Sequence, residues 1–453
     1  MNAYSFRPLV LPILLIMVHQ AAAGTGNFAT ATTYQVGSGP TCVAAVDING
    51  NGKVALVSAN VNDGTLTVLT NNGSGGFGSN ATINVGSGPN SYPLSVAAAD
   101  VNGDGRPELI SANLGDGTLT YLTNNGSGGF GYKATLNVGL NRASAPAFVL
   151  VADVNGDGKP DLISANTGDN TLTVLTNNGH GGFVLSATIT VGTYPVSVAA
   201  VDIKGNGKIA LISANENGGS LTVLTNAGGG RFGSNATLNV GSGPSSVVAA
   251  DVNGDGKPDL ICANYNDGTL TVLENNGSGG FVFNATLTAG SGPLCVAAMD
   301  INGDGWPDLI CANSGDGTLT VFTNNESGKF GLQATLGVGS DSGSYPQFVI
   351  ATDVNSDGLP DLISANYNDN SLSVLLNGAG ASGSPALSLS LTDPNTIVVS
   401  WPSSANGFLL QYNSDLATQN WLNFTGTINT VGSTKSATIT PLAGNQYYRL
   451  YHP

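Results

Sequence analysis

The chain has 453 residues, of which 9% are charged and 64 are glycine, whereas charged residues usually make up about 25% of a soluble domain. The 41% share of hydrophobic residues excludes an intrinsically disordered chain, because disorder requires low hydrophobicity together with high net charge. The formal net charge of −16 excludes nucleic acid and anionic membranes as favoured partners, because both repel an acidic surface.

The first 23 residues have the layout of a secretory signal peptide. Arg7 precedes an apolar run at residues 9–18, and small residues at 21–23 offer a cleavage position. The run is too short for a transmembrane helix, which needs about 20 residues. We therefore expect a secreted or cell-surface protein (extracellular or periplasmic) without a transmembrane span.

A loop that begins with aspartate recurs seven times, at intervals of 49 or 53 residues, and is called the Asp loop below. The seven loops begin at Asp47, Asp100, Asp153, Asp202, Asp251, Asp300 and Asp353. A complete repeat carries four short segments with β-strand patterns, which in the fifth repeat are residues 247–250, 260–263, 269–273 and 281–289. Four antiparallel strands per unit of about 50 residues are typical of a propeller blade. The sequence therefore predicts an all-β, seven-bladed β-propeller over residues 24–377.

The seventh repeat ends after its third strand, at residues 371–376. Its missing fourth strand is found at the start of the mature chain, where residues 26–40 match the fourth strand and exit of other repeats, such as residues 76–89. We expect this N-terminal strand to complete the seventh blade and close the ring, which removes an exposed sheet edge.

Five Asp loops carry oxygen ligands at positions 1, 3, 5 and 9, with glycine at position 6 and a backbone carbonyl available at position 7. This donor set suits Ca²⁺. Position 12 is not acidic and the flanks are strands, which excludes an EF-hand or a dockerin loop. Without metal, each loop would crowd three carboxylates with no counter-charge. The predicted metal residues are Asp100, Asn102, Asp104, Arg106 and Glu108; Asp153, Asn155, Asp157, Lys159 and Asp161; Asp251, Asn253, Asp255, Lys257 and Asp259; Asp300, Asn302, Asp304, Trp306 and Asp308; and Asp353, Asn355, Asp357, Leu359 and Asp361.

The two remaining Asp loops have lost ligands. The loop at Asp202 has Lys204, Asn206 and Ala210 at positions 3, 5 and 9, so we predict no calcium there and a lysine ammonium in the place of the metal. The loop at Asp47 has Asn49, Asn51 and Ala55 and should bind calcium weakly if at all. The predicted role of the metal is structural.

The chain from about residue 26 to 377 resembles the FG-GAP (VCBS-type) repeat propellers, a group that includes the head of integrin α subunits. The Phe-Gly element stands at Phe77-Gly78, Phe130-Gly131, Phe232-Gly233 and Phe330-Gly331, and the Gly-Ala-Pro element is altered to Gly-Ser-Gly-Pro, as at residues 241–244. The resemblance implies a calcium loop between the first two strands of a blade. It implies no single activity, because the group includes adhesion heads, lectin-like modules and carbohydrate-active enzymes.

The connectors between blades lie on the face opposite the Asp loops, and three of them are extended, at residues 90–93, 141–146 and 340–346. Exposed aromatic residues on extended loops of a rigid scaffold are typical of recognition sites. The alternative is that the Tyr-Pro pairs only stiffen the connectors. The candidate ligand-binding residues of this face are Tyr92, Arg142, Tyr194, Tyr265, Tyr345 and Tyr367.

The sequence offers little catalytic chemistry. The mature chain has two histidines, His180 and His452, and the acids outside the loops and turns are scattered: Glu216, Glu274, Glu326, Asp341, Asp393 and Asp415.

For the cysteines, a disulfide between Cys295 and Cys311 and buried free thiols are both open alternatives; the other two are Cys42 and Cys262. An asparagine ends each predicted second strand and is interpreted as a turn cap; the seven are Asn60, Asn113, Asn166, Asn215, Asn264, Asn313 and Asn366.

Residues 378–385 read as a linker, and residues 386–453 loosely resemble a small fibronectin-III-like β-sandwich. Its predicted strands are residues 387–391, 397–401, 408–412 and 446–451, with Trp401 and Trp421 as core anchors.

These patterns together predict a secreted, monomeric, calcium-stabilised propeller that acts as an adhesion or recognition module for an extracellular protein or glycan. The alternative is a carbohydrate-active enzyme, a polysaccharide lyase or glycoside hydrolase, on the same scaffold. That alternative needs an acid and base at a common point, and no catalytic residue can be assigned from the sequence.

Overall fold

The structure, a computed structural model, describes residues 28–378, 388–393, 396–402, 409–413, 421–431, 434–439 and 447–451. The predicted signal peptide and nearly all of the predicted linker lie outside these residues. The chain divides into two compact units, one of them residues 28–377 and the other including residues 378–453. Within the described residues, no helix is long and apolar enough to cross a membrane.

The larger unit is built of short strands and three short 3₁₀ helices. The helices are Pro89–Ser91, Arg142–Ser144 and Glu216–Gly218. The strands, in chain order, are β1 (Thr32–Gln35), β2 (Pro40–Val46), β3 (Ala55–Asn60), β4 (Thr65–Asn71), β5 (Phe77–Asn84), β6 (Pro93–Ala99), β7 (Glu108–Asn113), β8 (Thr118–Asn124), β9 (Phe130–Asn137), β10 (Pro146–Ala152), β11 (Asp161–Asn166), β12 (Thr171–Asn177), β13 (Phe183–Thr190), β14 (Pro195–Val201), β15 (Ala210–Asn215), β16 (Ser220–Asn226), β17 (Phe232–Asn239), β18 (Pro244–Ala250), β19 (Asp259–Asn264), β20 (Thr269–Asn275), β21 (Phe281–Thr288), β22 (Pro293–Met299), β23 (Asp308–Asn313), β24 (Thr318–Asn324), β25 (Phe330–Gly337), β26 (Pro346–Thr352), β27 (Asp361–Asn366) and β28 (Ser371–Leu375).

These strands form antiparallel sheets of four, which are numbered in chain order. Sheets 1 to 6 each contain four consecutive strands: β2–β5, β6–β9, β10–β13, β14–β17, β18–β21 and β22–β25. Sheet 7 combines β26–β28 with β1 from the other end of the unit. In that pairing Thr32 lies opposite Val374 and Gln35 lies opposite Ser371.

The burial of each strand follows from its place in the sheet. The second strands are buried at every residue, as in Asp259–Asn264, whereas the fourth strands alternate between exposed and partly buried residues, as in Phe281–Thr288. Apolar clusters fill the space between neighbouring sheets. Ile261 and Leu270 of sheet 5 pack with Leu309 of sheet 6, and a corresponding cluster joins sheet 7 to sheet 1. Each sheet therefore shares a core with both of its neighbours.

The asparagines that end the second strands are buried hydrogen-bonding residues. The side chain of Asn264 donates to the hydroxyls of Thr269 and Thr271 at 3.1 and 2.9 Å. Asn60 makes the same two bonds and also accepts one from Ser58. These residues link the second strand to the third inside the sheet, where an unpaired amide would cost about 1–3 kcal/mol.

All four cysteines are buried free thiols. Cys295 lies in the cluster between sheets 6 and 7, whereas Cys311 lies in the cluster between sheets 5 and 6. The two side chains therefore point to opposite faces of sheet 6, which rules out the alternative of a disulfide between them. Burial raises the pKa of Cys42 to about 11 and that of Cys295 to about 12.

The described residues of the smaller unit form two sheets. The strands are β29 (Ser388–Asp393), β30 (Thr396–Pro402), β31 (Leu409–Asn413), β32 (Leu422–Asn423), β33 (Ile428–Val431), β34 (Thr434–Ile439) and β35 (Tyr447–Tyr451). One sheet has the order β29-β30-β34-β33 and the other β32-β31-β35. Val399, Trp401, Leu410 and Ala437 form a cluster to which both sheets contribute. Trp421 is partly buried and lies outside the cluster that the described residues form.

Candidate functional site

The backbone of each Asp loop folds around the carboxylate at position 1. In sheet 5, Asp251 accepts hydrogen bonds from the backbone N–H groups of Gly254 and Gly256, both at 2.8 Å. The amide oxygen of Asn253 accepts a bond from Asp255 N at 3.0 Å. The same bonds recur in the other four loops that carry a full ligand set. The loop shape is therefore set by the side chains at positions 1 and 3.

The carboxylate at position 9 is anchored differently. Asp259 is fully buried and accepts bonds from Val252 N at 3.2 Å and Asn275 N at 2.8 Å. Burial raises the pKa of Asp259 to about 6 despite these hydrogen bonds, and the charges of Asp255 and Asp251 add to the rise. Burial likewise raises the pKa of the carboxyls at position 9 in the other four full loops: Glu108, Asp161, Asp308 and Asp361. A cation within the loop would favour their charged forms.

The donors in these loops are of the kind that calcium prefers. In sheet 2, Asn102 Nδ2 lies 3.3 Å from Asp104 Oδ2 and 2.9 Å from Glu108 Oε1, which brings positions 3, 5 and 9 together. Across the described ranges, however, no three histidine, cysteine, aspartate or glutamate side chains are grouped closely enough to hold a metal ion. A hard-oxygen site here would therefore use amide and carbonyl oxygens beside the carboxylates.

In two of the complete loops, the side chain at position 7 supplies a counter-charge to the carboxylate at position 5. Lys257 Nζ lies 2.9 Å from Asp255 Oδ2, and Lys159 Nζ lies 3.9 Å from Asp157 Oδ2. The backbone N–H at position 7 also donates to the carboxylate at position 5, including in the loop where this residue is Trp306.

In sheet 4, Lys204 is placed differently from the prediction. No ion pair joins Lys204 to Asp202 in the described part of the chain. Instead its side chain reaches sheet 5, where a Cβ on Gly279 would lie 2.5 Å from Lys204 Cε. The expectation that this ammonium occupies the place of the metal is wrong, because the side chain extends towards the neighbouring sheet.

The opposite ends of the sheets carry the connectors and the loops between second and third strands, called the connector face below. Here the residue before each first strand accepts a hydrogen bond from the first residue of a loop. Glu216 N donates to Tyr194 O at 2.9 Å, and Tyr367 N donates to Tyr345 O at 3.1 Å. The candidate tyrosines of the connectors and of the loops therefore lie on one face.

Seven equivalent positions, one before the first proline of each sheet, have left-handed backbone with φ between 49° and 69°. They are Gly39, Tyr92, Ala145, Tyr194, Gly243, Gly292 and Tyr345. This conformation costs a residue other than glycine about 1–2 kcal/mol, and a following proline disfavours it further. Three tyrosines thus stand where glycine would be unstrained, and strain of this kind is concentrated at functional sites.

Three of the tyrosines form a continuous row on this face. The hydroxyls of Tyr265 and Tyr345 are 3.4 Å apart, and the rings of Tyr345 and Tyr367 meet edge to face with centroids 6.2 Å apart. Tyr367 donates to Asn62 Oδ1 at 3.3 Å, so the row extends from sheet 5 to sheet 1. A Cβ at Gly292 would lie 3.0 Å from the ring of Tyr265, so glycine gives this ring room.

The other candidates lie apart from this row. Tyr92 and Tyr194 are 40% and 39% exposed. Arg142 begins the 3₁₀ helix in the connector to sheet 3, and its side chain lies outside the described part of the structure.

A cavity of about 450 Å³ opens on the connector face between sheets 4 and 5. Its polar lining includes Glu216, Ser242 and Asn266, and Tyr194 and Tyr265 adjoin it through their backbone bonds to Glu216 and Gly243. Glu216 is partly buried, which raises the pKa of its carboxyl. In the sequence alone, Glu216 stands among the scattered acids. Its position could have been recognised because Glu216 follows Asn215 just as Tyr265 follows Asn264 and Tyr367 follows Asn366.

The repeated four-stranded sheets define an all-β, propeller-like repeat protein. Six overlapping segments match the FG-GAP-like repeat: residues 47–111, 100–164, 153–213, 202–262, 251–311 and 300–364. The chain therefore belongs to the FG-GAP-like repeat family. None of the curated proteins compared with the chain matches it.

Solved structures share this fold at low sequence identity. The structure of BBS1N in complex with ARL6DN is similar with a TM-score of 0.55 and 14% identity, covering 77% of this chain and 96% of that one. A protein from Lactobacillus plantarum is similar with a TM-score of 0.54 and 15% identity, covering 67% and 86%. An Agrocybe aegerita lectin described as recognising non-reducing terminal N-acetylglucosamine has a TM-score of 0.49 and 21% identity, covering 68% and 91%.

Proposed function

We propose that this protein is a secreted or surface-held, calcium-binding β-propeller that acts as a recognition or adhesion module. Its ligand is an extracellular glycan or protein bound on the connector face. The observation that carries the proposal is the presence of tyrosine at three left-handed positions before proline. Ala145 occupies the same position in sheet 3, so neither the fold nor a stiff connector requires an aromatic ring there.

The proposed architecture is a ring of seven blades closed by β1, followed by a fibronectin-III-like sandwich. The pairing of β1 with β28 and the apolar cluster between sheets 7 and 1 support the closure. The cluster around Trp401, to which both sheets of the smaller unit contribute, supports the sandwich. With the ring closed, each sheet is packed between two neighbours, which would hold the connector face rigid.

Calcium is proposed for the five Asp loops with complete ligand sets, with the loops at Asp47 and Asp202 weak or empty. The carboxylates at positions 1 and 5, the amide oxygen at position 3 and the carbonyl at position 7 would hold the ion near the anchored carboxylate at position 9. Burial, with a smaller contribution from the charges of Asp255 and Asp251, raises the pKa of Asp259, and a cation beside the carboxylate would offset both effects, which supports this assignment. At a Kd of about 10⁻⁴ M and a few millimolar calcium, each site would contribute about 2 kcal/mol.

The composition of the connector face favours a glycan over an apolar protein segment. Tyrosine rings offer flat surfaces against which a sugar ring can pack, with a hydroxyl that bonds at the edge. The adjoining cavity offers a carboxylate, a hydroxyl and an amide from Glu216, Ser242 and Asn266, which suit sugar hydroxyls. The cavity volume of about 450 Å³ is within the usual range for small-ligand sites.

The test is binding to a glycan array by the wild type and by variants Tyr265→Ala and Tyr345→Ala. Tyr132→Ala is the matched control, because Tyr132 is 68% exposed on the fourth strand of sheet 2. We expect at least a tenfold loss of affinity for the first two variants and none for the control. Equal binding by all four proteins would remove the connector face as the site, and release of shortened products would favour the enzyme alternative.

A further inference from the structure

Sheet 4 has a second cavity, of about 310 Å³, at its Asp loop. The lining includes Ile203, Lys204, Lys208, Ala210 and Asn226. Ala210 stands at position 9, where the five complete loops have a buried carboxylate.

The complete loops show what this place in the fold accommodates. In sheet 5 the two oxygens of Asp259 accept hydrogen bonds from the N–H at position 2, Val252, and from the last residue of the third strand, Asn275. The same pair of donors recurs in sheets 3, 6 and 7. The corresponding backbone groups of sheet 4 belong to Ile203 and Asn226, and the side chain that takes the place of the carboxylate is a methyl group.

Electrostatics also favour an anion at this loop. The complete loops carry three carboxylates and at most one cation, a formal charge of −2 or −3, whereas the loop of sheet 4 carries Asp202 with Lys204 and Lys208, a formal charge of +1. Lys208 Nζ donates to Ala227 O at 3.2 Å, which holds it at the rim. Arg231, on the loop between the third and fourth strands, adds a further cation. Because the chain as a whole has a net charge of −16, the attraction for an anion is concentrated at this basic site.

We propose that this cavity binds the carboxylate of an acidic ligand, which takes the place that the aspartate at position 9 fills in the neighbouring sheets. The two backbone N–H groups hold the two carboxylate oxygens. Lys208 at the rim supplies the opposite charge, together with Lys204, which lines the cavity on the side towards sheet 5. The planar two-oxygen geometry selects carboxylate over tetrahedral sulfate. This site is independent of the calcium loops and of the connector face, so it does not rest on the function proposed above.

The experiment is ligand-observed NMR on the full chain in calcium-containing buffer at constant ionic strength. The probes are acetate, glucuronate, N-acetylaspartate, sulfate and glucose, so that a bare carboxylate, a sugar acid and an amino-acid side chain are compared with another anion and a neutral sugar. We expect saturation transfer to the carboxylates and none to glucose, with sulfate at least fivefold weaker. The proposal is overturned if glucose matches glucuronate or sulfate matches acetate.

Two variants test whether the binding site lies in sheet 4. Ala210→Asp supplies the carboxylate from the chain itself and should reduce acetate binding at least tenfold, and Lys204→Asn should reduce it about threefold or more. The matched control is Ala55→Asp, which makes the same change in sheet 1, where position 3 is Asn49. Aspartate occupies position 9 in four other sheets, so Ala210→Asp should fold, and a thermal melt checks it. Unchanged acetate binding by a folded Ala210→Asp protein would overturn the proposal.

Discussion

Tyr194 allows the backbone strain on the connector face to be measured directly. Tyr194 has a φ of 60°, stands before a proline and is 39% exposed. Tyr194→Ala removes the ring and keeps the strain, whereas Tyr194→Gly removes both. Relief of the left-handed conformation is worth about 1–2 kcal/mol, and the greater freedom of glycine in the unfolded chain offsets about 0.5–1 kcal/mol of this. The glycine variant should therefore be more stable than the alanine variant by about 0.5–1 kcal/mol.

The assay is chemical denaturation of the two variants, monitored by a signal from the larger unit. Calorimetric melts are a second measurement. For a unit of this size the expected difference in Tm is only about 1–2 °C, so denaturant midpoints decide the comparison. Gly243→Ala, at the equivalent position before sheet 5, should lose a comparable free energy of unfolding. If the glycine variant of Tyr194 were the less stable one, the strain would not exist and the argument for function drawn from it would fail.

Three other outcomes follow from the contacts in the larger unit. Removing calcium with EDTA should lower the Tm, because each occupied loop contributes about 2 kcal/mol, and an unchanged melting curve would contradict the five proposed sites. Asp259→Ala should destabilise the protein by about 2–4 kcal/mol even in EDTA, because Val252 N and Asn275 N lose their buried acceptor. Asp255→Ala, on the loop surface, should lower the stability mainly when calcium is present. Ellman's reagent should find no reactive thiol in the native protein and four after denaturation, because all four cysteines are buried; rapid reaction of native Cys295 would contradict the packing between sheets 6 and 7.

The repeat pattern predicted the sheets well because each strand is short and its turns are marked by glycine and aspartate. The strand boundaries were less accurate. The predicted first strand of the fifth repeat began at residue 247, whereas the strand begins at Pro244. The pairing shifts between Pro244 and Ser246, and such an irregularity breaks the alternation on which the prediction depends. In the smaller unit, Thr434–Ile439 was missed although it pairs with β30.

The candidate residues of the connector face were predicted from their exposure on loops, but their arrangement was not. Tyr265 and Tyr345 are 80 residues apart in the chain, and their contact depends on the spatial sequence of the sheets. The identity of Tyr345 does not indicate its left-handed backbone. The only sign of it in the sequence is the glycine at equivalent positions of other sheets. The buried role of the asparagines, such as Asn264, was likewise missed because a turn cap and a buried donor have the same sequence pattern.

Sheet 4 departs from the other sheets at both ends, and the packing explains how the fold tolerates this. Its Asp loop lacks the carboxylate at position 9, as that of sheet 1 also does, and its loop between second and third strands has Gly218 where six other sheets have aspartate. Yet Leu211 packs in the cluster shared with sheet 3, and Leu221 packs in the cluster shared with sheet 5. Since both faces of the sheet are held by its neighbours, the loops at its two ends are free to change without loss of the core. Both cavities described above lie at these two ends, which is where a repeat protein can gain binding sites at least cost to stability.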